Sequence, residues 1–162
     1  MDYPKMTPEE LAAKYLIPAL RARIAESLIE NHKLSQKEAA RRLGVTQAAI
    51  SQYLRGRRAL WKNLLVDDTV LSAADALAAE ISAGNLDQYT LTKRMSLLLD
   101  YILRHRLACL IHKEQEPGLD IGQCHICEER DVTHATQLLA ISRGLDGLPG
   151  KGESDERGGG GA

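Results

Sequence analysis

Four residues in the second half of the chain have the types and spacing of a metal-ligand set: Cys109 and His112, then Cys124 and Cys127 in the run CHIC. A CxxH pair and, after eleven intervening residues, a CxxC pair supply three thiolates and one imidazole, a donor set suited to tetrahedral zinc. On a helix, Cys109 and His112 at i and i+3 share a face. Pro117, Gly118 and Gly122 place CHIC in a loop that folds as a tight knuckle. The same donors could hold an iron–sulfur cluster, and spacing alone does not separate the two. A third reading needs no metal: Cys109, His105 and His112 lie on a helical seam where cysteine packs as a small hydrophobe. His125 and His134 are further imidazoles that fit surface positions equally well. Disulfide-exchange chemistry at CHIC would need a βαβ setting, and no strand pattern precedes it.

A second group of residues could do different chemistry. If a helix starts after Thr46, then Gln47, Ala48, Ser51, Gln52 and Arg55 share its outward face while Ile50 and Leu54 turn inward. That face is polar and slim, as the ~12 Å major groove of DNA requires. Gln47 and Gln52 can pair with base edges, favouring adenine, and Ala48 can touch a thymine methyl; Ser51 suits either base or phosphate. Around this face lies a block of positive charge. Between Arg21 and Lys62 there are ten Lys or Arg and three Glu, a net +7, so the remainder of a chain of net charge −1 carries −8. Arg41, Arg55, Arg57, Arg58 and Lys62 are therefore expected to neutralise phosphates.

The elements that must position these groups read as helices throughout. Thr7, Pro8 and Glu10 form a helix start with a capping box. Ile17, Leu20, Ile24 and Leu28 make an apolar stripe reaching about His32, with Pro18 dividing a preliminary turn from a main helix that begins near Ile17. Ser35 and Glu38 cap the next helix, which Gly44 ends; Thr46 caps a third that runs to Gly56. Asp67 or Asp68 starts a helix carrying Val70, Leu71, Ala74, Leu77, Ala78 and Ile81 inward, with Gly84 as its stop. One long helix is expected from about Thr90 to Lys113, its stripe of Leu91, Met95, Leu98, Ile102, His105, Cys109 and His112 forming a heptad seam for a partner helix. Eight of the 13 glycines fall between 144 and 162, where a disordered tail is expected.

The stretch LSQKEAARRLGVTQAAISQYLRGRR, Leu34 to Arg58, resembles the Xre/Cro-type helix-turn-helix of transcriptional regulators. Gln36, Glu38, Ala40, Leu43, Gly44, Val45, Ile50, Ser51 and Gly56 carry the resemblance at that family's spacing. With the preceding IPALRARIAESLIENH, it looks most like small archaeal and bacterial regulators that append a cysteine-bearing C-terminal region. The resemblance implies that Gln36, at the start of the second helix, contacts phosphate. The residues give the corner its own physical logic: Ala40 is small at a close helix crossing, and Gly44 permits a positive φ.

The expected molecule is all-α, with a helix-turn-helix domain at residues 7–62, a helical dimerisation and metal-binding region at 63–143 and a tail at 144–162. Tyr53 and Trp61 are expected to pack rather than stack on bases. Hydrophobic residues at 44% and charged residues at 27% fit a globular protein. There is no membrane-length apolar run and no secretory leader, so a cytoplasmic location is expected. Nucleophile and base are nowhere paired as an enzyme would require. The functional expectation is a homodimeric regulator binding double-stranded DNA, with zinc, an iron–sulfur cluster or no metal at the cysteines. The alternative is a metal- or iron–sulfur-binding interaction protein whose helix-turn-helix leaves DNA alone.

Overall fold

A computed structural model describes residues 4–56 and 67–130. Those residues are all-α, in one compact unit. Helix α1 (Pro8–Leu11) starts at the expected capping box: Thr7 Oγ1 accepts from the Glu10 N–H, and Glu10 accepts from the Thr7 N–H. A π-helical turn, Ala12–Leu16, then leads directly into α2 (Ile17–Glu30), with helical dihedrals at the junction. Pro18 accounts for that turn, because its ring and missing N–H are incompatible with a regular preceding carbonyl at i−4, and widening the helix relieves the conflict.

Helices α3 (Gln36–Leu43) and α4 (Gln47–Gly56) follow, then α5 (Asp68–Ala83) and α6 (Gln88–Arg104), then α7 (Cys109–Gln115) and a short 3₁₀ turn at Glu128–Arg130. Asp67 caps α5 and Asp87 caps α6, each accepting from a backbone N–H three residues on. Among the described residues no helix is long and apolar enough to cross a membrane.

Helix α2 is the spine. Its Ile24, Ala25 and Leu28 are inaccessible to solvent and share a core with Ala39, Ala40 and Leu43 of α3, Ile50 of α4, Ala74 and Ala78 of α5 and Leu91 of α6. Its N-terminal half, through Ala19 and Leu20, enters a second core with Leu11, Leu16, Val70, Ile102 and Ile111. A full Leu or Ile burial contributes roughly 1.5–3 kcal/mol, so the two cores carry most of the stability. Polar ties fix the relative positions. The Arg23 guanidinium donates to both Asp75 oxygens at 2.8 Å, joining α2 to α5. Arg42 donates to the Ile81 and Ser82 carbonyls at 2.9 and 2.7 Å, using the free carbonyls at the end of α5 to hold α3 there.

The expected single helix from Thr90 to Lys113 is two helices. Helix α6 stops at Arg104 and the chain turns through 105–108 before α7 begins. The stop has the hydrogen bonds of a Schellman motif: Leu107 N–H to Ile102 O at 3.0 Å and Arg106 N–H to Leu103 O at 3.1 Å. The left-handed position that glycine usually takes is held by Arg106, at φ +59°. A non-glycine residue costs about 1–2 kcal/mol there, and no sequence signal announced it. The seam consequently ends at Ile102: His105 is exposed and stacks on Tyr101, with ring centroids 4.0 Å apart. Leu91, Leu98 and Ile102 face the protein's own core. The expected boundary near 62 and the expected tail at 144–162 lie outside the described residues.

Candidate functional site

Residues 35–55 build a convex polar corner. Ser35 caps α3 by accepting the Glu38 N–H at 3.1 Å. Gly44 ends the helix at φ +67°, with Val45 N–H returning to Ala40 O at 3.0 Å. The turn also presses on α6, since a Cβ at Gly44 would lie 3.2 Å from Gln88 Oε1. A side chain at position 44 would thus meet both backbone strain and a neighbour. Thr46 then caps α4, its Oγ1 accepting from the Ala49 N–H at 3.1 Å. With α4 started there, Ile50 points inward and is inaccessible, and Tyr53 and Leu54 pack half-buried on the same core.

The opposite side of α4 is open. Thr46, Gln47, Ala48, Gln52 and Arg55 are exposed, and Ser51 lies half-buried between them. Gln36, the first residue of α3, is half-buried. Arg57, Arg58, Trp61 and Lys62 lie outside the described residues. The face that helical periodicity predicts after Thr46 is thus continuous and unobstructed within the described chain.

One electrostatic feature of this corner went unread in the sequence. Glu38 accepts from Arg41 at 2.6 and 3.0 Å and from Arg42 at 2.6 Å, so a single carboxylate pairs with two cations. These hydrogen bonds, Arg41's first, hold the Glu38 carboxyl down at about 2 from an ordinary 4.5. The signal was present: Glu38 precedes Arg41 and Arg42 by three and four residues, the spacing at which helical side chains meet. Arg41, expected to neutralise phosphate, has its guanidinium on Glu38 while its side chain stays 70% exposed.

The second candidate site lies at the far end of α6. Cys109, His112, Cys124 and Cys127 all line one small cavity of about 10 Å³, together with Arg106, His125 and Glu128. That is about the room of one water-sized sphere. Helix α7 supplies Cys109 and the buried His112; the loop after Leu119 supplies the other two. His112 Nε2 stands 3.4 Å from Glu116 Oε1, and Glu116 also accepts the backbone N–H groups of Lys5 and Met6. Those contacts, Lys5's first, hold the Glu116 carboxyl below its usual range.

Arg106 ties the knuckle to the helix corner. Its guanidinium donates to Glu128 Oε1 at 3.1 Å and to the Ile121 carbonyl, and Glu128 Oε2 lies 2.8 Å from His125 Nδ1. These bonds offset the strain at φ +59° and explain why a non-glycine residue is tolerated there. Burial pushes the Cys109 thiol up, and the nearby Arg106 charge opposes that. Among the described residues, no three His, Cys, Asp or Glu side chains are gathered in a metal-holding arrangement. The four expected ligands share a cavity wall without converging on one point.

Comparison with known proteins bears on the first site. Residues 26–60 match the family model for the helix-turn-helix, covering the last five residues of α2 and all of α3 and α4. The matched segment is a helix-turn-helix, similar to the Xre/Cro type of DNA-binding regulators. The cysteines lie beyond the matched residues. No curated protein and no solved structure matches the chain.

Because Glu38 titrates far below its ordinary value, it contributes stability that is complete above about pH 4.5 and is lost as pH falls toward 2. Urea midpoints should therefore decline between pH 5 and 2, and Glu38→Gln should decline less steeply over that window. Equal slopes for the two proteins would contradict the pairing.

Proposed function

We propose, for a chain whose residues 26–60 are a helix-turn-helix similar to the Xre/Cro type, that the protein is a sequence-specific DNA-binding transcriptional regulator acting as a homodimer. The observation that carries this reading is the exposed row Thr46, Gln47, Ala48, Gln52 and Arg55, on a helix whose opposite face is fixed in the core by Ile50. Gln47 and Gln52 present paired donor and acceptor atoms that match an adenine edge. Gln36 and Arg55, with Arg57 and Arg58, act on phosphates and supply affinity without sequence information.

Pairing of two copies is favoured by geometry and by surface. One recognition helix reads few base pairs, whereas two copies on half-sites ~34 Å apart double the contacts. An open apolar groove of about 380 Å³ runs between α5 and α6, lined by Ala73, Leu77, Leu98 and Tyr101. Leu97, in the wall of the same groove, is 62% exposed and adds apolar surface to it.

The finer part of the proposal concerns Cys109, His112, Cys124 and Cys127, which we assign to a metal that regulates or fixes the C-terminal part. The donor chemistry fits zinc, and Glu116 is placed to orient His112 as carboxylates orient metal-bound imidazoles. A cavity of about 10 Å³ admits one ion far more readily than a cluster of several iron and sulfide atoms. Loading requires the knuckle at 124–127 to close onto α7 so that the donors converge. Zinc there would staple loop to helix and contribute to folding.

Two experiments test these assignments. In a selection from random duplexes, the protein should enrich a pseudo-palindrome that binds two copies, with affinity falling steeply with salt. Gln47→Ala should lose about 1–3 kcal/mol of discrimination at one base pair per half-site, while Arg55→Ala should weaken all duplexes alike. Equal, salt-insensitive binding of every duplex would sink the regulator reading. For the metal, protein purified without oxygen should hold one zinc per chain, lost in Cys124→Ser. Iron with sulfide would replace zinc by a cluster, and neither metal would leave the cysteines as packing residues.

A further inference from the structure

A separate cavity, of about 140 Å³, opens where the start of α2, the end of α3 and one face of α6 meet. Its walls combine apolar residues (Leu43, Leu91 and Met95) with the polar residues Arg21, Gln88, Thr92 and Ser96. Arg23, Arg42, Arg94 and Arg106 are each matched to a carboxylate. Arg21 differs: among the described residues it makes no ion pair and no hydrogen bond, and no Asp or Glu lines the cavity. A half-buried cation with no partner among the described residues, in the wall of a largely apolar pocket, is an incomplete interaction.

We infer that this cavity binds a small aliphatic monocarboxylate, its carboxylate on Arg21 and its hydrocarbon against Leu43, Leu91 and Met95. The size is appropriate, since an apolar cavity of ~150 Å³ accommodates benzene, and a chain of about four to six carbons fills comparable space. A guanidinium takes a carboxylate in a bidentate fork, and the partly excluded setting strengthens that pair. A dicarboxylate would leave one charge against leucine, and an amine would meet Arg21 as a like charge.

The location gives the ligand a consequence, which rests on the regulator reading above. Leu43 is the last residue of α3, and Gln88, also in the cavity wall, is the side chain that crowds Gly44. Occupancy therefore bears on the turn that sets α4 relative to α6, and DNA affinity should respond to it.

The site can be tested without DNA. Isovalerate titrated into isotopically labelled protein should give saturable shifts confined to Arg21, Leu43, Gln88, Leu91, Met95 and Ser96. The uncharged isostere isovaleramide should bind at least tenfold more weakly. Arg21→Met should lose at least tenfold for isovalerate while keeping its thermal midpoint; if that variant fails to fold, the comparison with isovaleramide decides alone. Unsaturable or scattered shifts, or equal binding of acid and amide, would overturn the site. With the site established, saturating isovalerate should change affinity for the selected duplex at least threefold. An unchanged affinity would overturn the coupling, and failure to bind any duplex would count against the regulator reading while the ligand result stood.

Discussion

The side-by-side burial of α2 with α5, alanine among alanines, governs the rest of the structure. Ala25 on α2 and Ala74 and Ala78 on α5 are inaccessible in the same core, and the chain has no phenylalanine to force the helices apart. Small side chains let backbones approach closely, and Arg23 across to Asp75 locks the resulting register. Once α2 is fixed in this way, α3 and α4 have one place to pack, because Ile24 and Leu28 share their core with Ala40, Leu43 and Ile50. The exposed face of α4 is the remainder of that packing.

Both ends of the helix-turn-helix corner depend on this arrangement. Arg42 connects α3 to the last carbonyls of α5, and its own orientation is held by Glu38, which also pairs with Arg41. Gln88 of α6 stands against Gly44 on the other side. The helix-turn-helix is therefore continuous with the helices that follow it. Helices α5 and α6 thus pack directly against the elements that position α4.

Much of this was legible in the residues. Caps at Thr7, Ser35, Thr46 and Asp67 are local signals, each a side-chain oxygen three residues ahead of an unmatched N–H, and all four form. Glycine at 44 and 84 marked two helix ends for the same local reason. The break after α6 escaped because Arg106 is an ordinary helix former whose left-handed geometry is sustained by Glu128 and Ile121, well over ten residues away. Periodicity carried the seam straight through it. The polar face of α4 was legible because it needs only a start point and a 3.6-residue period. The common cavity of the four metal-ligand candidates was foreshadowed by spacing, whereas their actual separation depends on how the knuckle is tied to Arg106.

The account stands on the outward row of α4 as a surface that touches nucleobases. Chemical-shift mapping of the full chain against its selected duplex tests this most directly. The largest perturbations should fall on Thr46, Gln47, Ala48, Ser51, Gln52 and Arg55, with the knuckle at 124–127 unmoved. Perturbations that spare α4, or that centre on the far end of α6, would contradict it.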